Sequence, residues 1–120
     1  MICCDTKTNI FTLHTLHTTY AMAADAQGRL LHLYYGSRTT AVRLPASPHD
    51  DPGCHPDMLM QEWPCPGMGD NHIPFFQPEF ADGVIAADLR FAGAEVTDGK
   101  YSLPGLPAFR ECDGAETLRI

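Results

Sequence analysis

The sequence predicts an all-β fold, and three observations carry that prediction. Ten glycines and ten prolines among 120 residues leave about one residue in six badly placed for a helix interior. β-branched and aromatic residues come in short runs bounded by Asp, Gly and Pro, the punctuation of strands and tight turns. No window sustains a 3.6-residue apolar period; the best helical stretch, residues 20–27, is Ala-rich but short and starts from a β-branched run.

The elements follow in order. Ile10-Phe11-Thr12-Leu13 is a short β-branched and aromatic strand. Thr18-Thr19-Tyr20-Ala21-Met22-Ala23 and Arg29-Leu30-Leu31-His32-Leu33-Tyr34-Tyr35-Gly36 flank Asp25-Ala26-Gln27-Gly28, which reads as a hairpin with Gly28 at positive φ. Strict alternation puts Leu31, Leu33 and Tyr35 on one face of the second strand and Leu30, His32 and Tyr34 on the other. Both faces are largely apolar or aromatic, so this strand is expected to lie between layers.

Residues 37–68 break the pattern with Pro45, Pro48, Pro52, Pro56, Pro64 and Pro66. Proline removes a donor and fixes φ, so the stretch is an excursion, and one this long suggests a functional loop or a surface that packs on something else. Phe75-Phe76-Gln77-Pro78-Glu79-Phe80, an Asp82-Gly83 turn and Val84-Ile85-Ala86-Ala87-Asp88-Leu89-Arg90-Phe91 predict a second hairpin, with Pro78 pushing its first arm to an edge. Residues 100–109 are another Pro/Gly-stiffened connection. Glu116-Thr117-Leu118-Arg119-Ile120 alternates without a closing turn, so the strand pattern is expected to belong to a longer protein.

Composition excludes several functions. Eight Lys and Arg against fifteen Asp and Glu give a net charge of −7, which argues against nucleic-acid or anionic-membrane partners. At 44% hydrophobic and 19% charged, the chain is neither a disordered tail nor a membrane protein. The first residues lack the basic segment and apolar run of a secretory leader. Five cysteines, with Cys3 and Cys4 adjacent, fit reduced thiols and a cytoplasmic location better than a disulfide framework.

Candidate chemistry is sparse. His14 and His17 lack an intervening glutamate and sit in a strand pattern that points them apart. Cys54, His55, Cys65 and His72 share one Pro-rich region, but their spacing is not that of chelate loops, so a small metal-binding domain is a distant alternative and no metal is expected. Gly67-Met68-Gly69-Asp70-Asn71-His72 reads as a tight turn, with a second reading as a tip offering a carboxylate and an imidazole to a sugar. No residue pattern sets a catalytic carboxylate pair, a nucleophile elbow or a phosphate loop.

Four segments then carry a family resemblance. Leu30-Leu31-His32-Leu33-Tyr34-Tyr35-Gly36 resembles the "LxHLYYGK" strand of glycoside hydrolase family 36 α-galactosidases. Gln61-Glu62-Trp63-Pro64 with Gly67, Gly69, Asp70 and Pro74 is similar to that family's "QEYPxYGxGDFRxP" segment. Asp88-Leu89-Arg90-Phe91 resembles "DxRY", and Gly99-Lys100 with Leu103-Pro104-Gly105-Leu106-Pro107-Ala108 resembles "GKPxLxGLPA". The motifs keep the family's order and cover roughly residues 10–111.

The resemblance implies that residues 1–120 are part of an N-terminal β-supersandwich, an incomplete domain whose catalytic (β/α)₈ barrel and C-terminal β-domain lie outside this chain. It implies retaining hydrolysis of terminal α-galactosides such as melibiose and raffinose by two barrel aspartates, without cofactor or metal. No residue here then has a catalytic role. It also implies a homo-oligomer, commonly a tetramer, in which loop 44–60 of one subunit reaches a neighbour's substrate pocket. Asp50 or Asp51 would accept hydrogen bonds from sugar hydroxyls, and Trp63 would either stack on a sugar or serve as a packing residue. Asn71-His72 departs from the family's Phe-Arg, and the loop's usual arginine is not recognisable. A stand-alone carbohydrate-binding β-sandwich module is the alternative.

Overall fold

The computed structural model describes residues 1–43, 58–67, 69–100, 105 and 115–120. Within them the chain is all-β and has no α-helix. Strands β1 (Ile2–Asp5), β2 (Ile10–His14), β3 (Thr18–Ala24) and β4 (Leu30–Ser37) form an antiparallel meander in sequence order. A separate antiparallel pair joins β5 (Glu95–Asp98) to β6 (Glu116–Arg119). Three predicted strands and the final alternating segment are therefore present, while β1 and β5 are additions.

Local chemistry sets each turn. Between β1 and β2, Asp5 accepts from the Lys7 N–H at 2.9 Å and the Thr8 hydroxyl at 2.8 Å, and Asn9 takes the left-handed conformation (φ 52°). The hydroxyl bond, then the amide bond, hold the Asp5 carboxyl below its usual range. Between β3 and β4, the Gln27 and Arg29 N–H groups donate to Asp25 Oδ1, Gly28 sits at φ 76°, and Arg29 pairs with Asp25 at 2.6 Å. This is the predicted hairpin.

The sheet is thickest in burial at β3, where Thr19, Ala21 and Ala23 are fully enclosed and Ala24 nearly so. Small side chains there let covering chain approach closely. Phe11 on β2 is buried from the opposite face, 5.6 Å from the Phe91 ring.

The strict alternation expected along β4 fails. The β3–β4 register shifts between Ala21 and Met22, so that Ala21 pairs with Tyr34 while Met22 pairs with His32. Leu33 is the extra residue of a bulge. Leu31 and Tyr34 consequently share a face, and His32 and Tyr35 share the other, instead of Leu31, Leu33 and Tyr35 together. Tyr35 is turned out to solvent.

The second predicted hairpin closes only at its tip. Gly83 (φ 80°) donates to Phe80 O and Phe80 N–H to Val84 O, but no ladder follows. Pro78 has no N–H to give. On the other arm, Ala87 and Phe91 donate instead to Pro66 O and Gly28 O, tying it to the returning excursion and the first hairpin.

Candidate functional site

The Pro-rich excursion returns along the free edge of β4. Gln61 bridges Leu31 in antiparallel fashion, with His32 N–H donating to Met60 O at 2.7 Å and Glu62 N–H to Leu30 O at 2.9 Å. This short edge addition joins the two most distinctive sequence segments, 30–36 and 61–70, into one unit.

The pairing sends alternate side chains to opposite faces. Glu62 joins the face of Tyr20 and His32, where its Oε1 accepts from the Tyr20 hydroxyl and from His32 Nδ1 at 3.0 Å. An ionised carboxylate only accepts, so the proton lies on Nδ1. The Tyr20 ring packs between His32 and Tyr35, with centroids 5.3 and 6.2 Å away. Burial, then the Glu62 hydrogen bond and charge, push the Tyr20 phenol well above its ordinary range.

Gln61, on the other face, donates through Nε2 to Asp70 Oδ2 at 2.5 Å. Asp70 Oδ1 accepts from the His72 backbone N–H at 2.9 Å and from His72 Nδ1 at 2.5 Å. The Asp70 side chain is only 1% exposed. A carboxylate so enclosed survives because its lone pairs are used. Asp70 is thus the anchor of the Gly67–Asp70 turn, in keeping with the structural reading of that motif. Its imidazole partner, His72, is partly exposed.

The same turn needs Gly67 twice over. It adopts φ 89°, and a Cβ there would overlap the Cβ of Ala86, which the Ala87–Pro66 hydrogen bond holds against it. Gly67→Ala is expected to cost about 2 kcal/mol, more than a left-handed φ alone, read as a lower urea midpoint with an unchanged slope.

Trp63 is 45% exposed. Its ring meets Phe75 edge-on at 4.5 Å and Phe76 at 6.4 Å. It also borders a groove of about 330 Å³ with Leu30, Gln61, Arg90 and Phe91. One part of the indole is packed and another faces this open space. Asp50 and Asp51 lie outside the described residues, as do Cys54 and His55. Cys65 is buried and directs its thiol at Trp63 O, while His72 is held by Asp70. Among the described residues no three His, Cys, Asp or Glu side chains gather as a metal site, and no helix is long and apolar enough to cross a membrane. Cys3, Cys4 and Cys65 are free thiols, and burial, then Cys3, raises the Cys4 thiol.

Tyr20, His32 and Gln61 were not singled out by residue chemistry. Their partners lie 42, 30 and 9 residues away, so His32 and Gln61 were marked only by their places within the family-like segments, and Tyr20, outside those segments, by nothing.

Comparison with known proteins gives a consistent result. Residues 28–120 match the glycosyl hydrolase family 36 N-terminal domain. The chain is 41% identical over 92% of its length to the bifunctional alpha-galactosidase/sucrose kinase AgaSK of Mediterraneibacter gnavus, of which it covers 13%. It is 33% identical over 95% of its length to alpha-galactosidase AgaA of Geobacillus stearothermophilus, covering 18%. The solved galactosidase domain of AgaSK superposes on 98% of the chain with a TM-score of 0.85 and 39% identity, the chain covering 18% of it. The chain thus spans less than a fifth of the length of these relatives.

Proposed function

Because the chain belongs to the glycosyl hydrolase family 36 N-terminal domain, we propose that it is the N-terminal β-sandwich part of a larger retaining α-galactosidase that hydrolyses terminal α-galactosides of the melibiose and raffinose type. The observation that carries this reading is a similarity spanning 92% of this chain but 13% of a relative named an alpha-galactosidase. The barrel and its two catalytic carboxylates are then supplied outside residues 1–120.

The internal chemistry agrees with a non-catalytic part. A retaining mechanism requires two carboxyl groups about 5 Å apart facing one glycosidic bond. Glu62 and Asp70, the enclosed carboxylates of the docked segment, are committed to holding that segment on the sheet. The part's own role is structural and oligomerising, in a cytoplasmic homo-oligomer. On this reading loop 44–60 contributes to a neighbouring subunit's substrate pocket, with Asp50 and Asp51 accepting from sugar hydroxyls. The groove-facing side of Trp63 offers a ring to the same sugar.

The test uses the longer protein that contains this sequence. It is expected to hydrolyse p-nitrophenyl α-galactoside, whereas residues 1–120 alone do not. Asp51→Ala and Trp63→Ala in that protein should raise KM for raffinose severalfold with kcat nearly kept, the mark of lost ground-state contact. Absence of turnover by the longer protein sinks the hydrolase reading, and unchanged KM in both variants sinks the pocket-wall role.

A further inference from the structure

A second concavity, of about 380 Å³, lies on the bulge-shifted face of the sheet, lined by Leu13, Thr18, Tyr20, Tyr35 and Glu116 among others. Its floor is a cross-strand row. Ile2 pairs with Leu13, Leu13 with Tyr20, and Tyr20 with Tyr35, so one residue from each of the four strands stands side by side on one face. Glu116 of β6 closes one side, its Oε2 accepting from the Ile2 N–H at 2.5 Å and lying 3.4 Å from the Met1 ammonium, so that Oε1 is left toward the hollow. Thr18 stands on the opposite side, its hydroxyl held 2.6 Å from that of Thr15.

The Leu33 bulge makes this hollow. Without it, Tyr35 would stand on the Leu31 face; with it, Tyr35 joins Tyr20, the rings inclined at 57° with centroids 6.2 Å apart. Tyr20 is fixed by Glu62, which leaves Tyr35 as a 69% exposed ring beside a rigid one. Bulges commonly re-aim a side chain in this way.

We infer that this hollow binds a neutral pyranose unit, its apolar ring face on Tyr35 and its hydroxyls toward Glu116 and Thr18. The lining chemistry selects the ligand class. An exposed aromatic ring calls for a flat apolar face, and a carboxylate with a hydroxyl calls for several hydroxyl donors on the ligand's edge. The chain's net charge of −7 disfavours an anion. The volume is at the low end of small-molecule sites and suits one or two sugar rings. The inference stands on this chain's own residues and does not rest on the hydrolase reading.

The test is an amide-resolved NMR titration of the 120-residue chain with methyl galactopyranoside and methyl glucopyranoside, with myo-inositol and acetate as probes. Saturable shifts confined to Thr18, Tyr20, Tyr35 and Glu116 are expected for the pyranosides, with Kd about 1–10 mM. Tyr35→Ala should weaken binding about tenfold while the remaining amides keep their positions, since Tyr35 is largely exposed. No saturable shift with either pyranoside, or shifts that Tyr35→Ala leaves untouched, overturns the inference. Equal response to acetate does so as well. If the amides of the isolated chain are not dispersed, affinity electrophoresis of the longer protein through immobilised galactan decides. Retardation lost in Tyr35→Ala with kcat/KM for p-nitrophenyl α-galactoside kept supports the inference, and retardation unchanged in Tyr35→Ala overturns it. A failed hydrolase reading would instead appear as absent turnover, whatever the retardation.

Discussion

Phe11→Ala is expected to lower unfolding stability by about 3–5 kcal/mol, the range for truncating an enclosed phenylalanine. Phe11 is 1% exposed and is the largest fully buried side chain among the described residues, so its removal leaves a cavity against the Phe91 ring. The loss would remove about a fifth or more of the total for an ordinary domain. The Phe11–Phe91 contact also ties the returning arm to the sheet, beside the Phe91–Gly28 hydrogen bond. Phe11→Leu should cost about 1–1.5 kcal/mol, because most of the volume is kept. Urea midpoints measure both, and a cost below about 1 kcal/mol for Phe11→Ala would contradict the packing described. Phe91→Ala combined with Phe11→Ala should cost less than the two separately, since they share one contact.

Glu62→Ala carries the second large effect, about 2–4 kcal/mol, because it strands two half-buried groups at once. The Tyr20 hydroxyl and His32 Nδ1 both donate to Glu62 Oε1, and Ala offers no acceptor. Glu62→Gln keeps a carbonyl acceptor and should lose about half as much. The same carboxylate predicts a pH dependence. Tyr20 has its folded-state value raised, first by burial and then by Glu62, so the fold favours the protonated phenol. Stability from this source is complete below about pH 10, where the unfolded phenol is also protonated, and falls as pH rises above it. Tyr20→Phe should flatten that alkaline limb, and an equally steep limb in Tyr20→Phe would assign the decline to other groups. Because Glu62 docks the excursion on β4, these variants also test whether segment 60–72 can stay on the sheet without its hydrogen-bond latch.

Much of this was legible in the residues. β2, β3 and β4 follow from β-branched and aromatic runs, and the Asp25…Gly28 turn from a side chain that accepts two amides beside a glycine free to take positive φ. Local propensity was enough there because each strand's partner is its neighbour in sequence. β1 was hidden by its composition, Ile2-Cys3-Cys4-Asp5, which shows no clear alternation. β5 was hidden because its exposed Glu95-Val96-Thr97-Asp98 gains strand geometry only from β6, across an intervening stretch of chain. The overcall of a laddered second hairpin has a plain cause: its second arm spends the Ala87 and Phe91 N–H groups on Pro66 and Gly28, and Phe75 of the first arm donates to Pro64.

The sequence by itself determined the β class, the turns and, through its four ordered motifs, the family to which residues 28–120 belong. Those properties are local, set by backbone propensity, φ freedom and residue order. Only the tertiary structure decided which way Tyr35 faces, because a one-residue bulge reverses side-chain parity without any mark in the alternation. It alone also decided the partners of Glu62 and Asp70. Carboxylates drawn into the fold take whichever donors it brings within reach, and for Glu62 those come from strands 30 and 42 residues away.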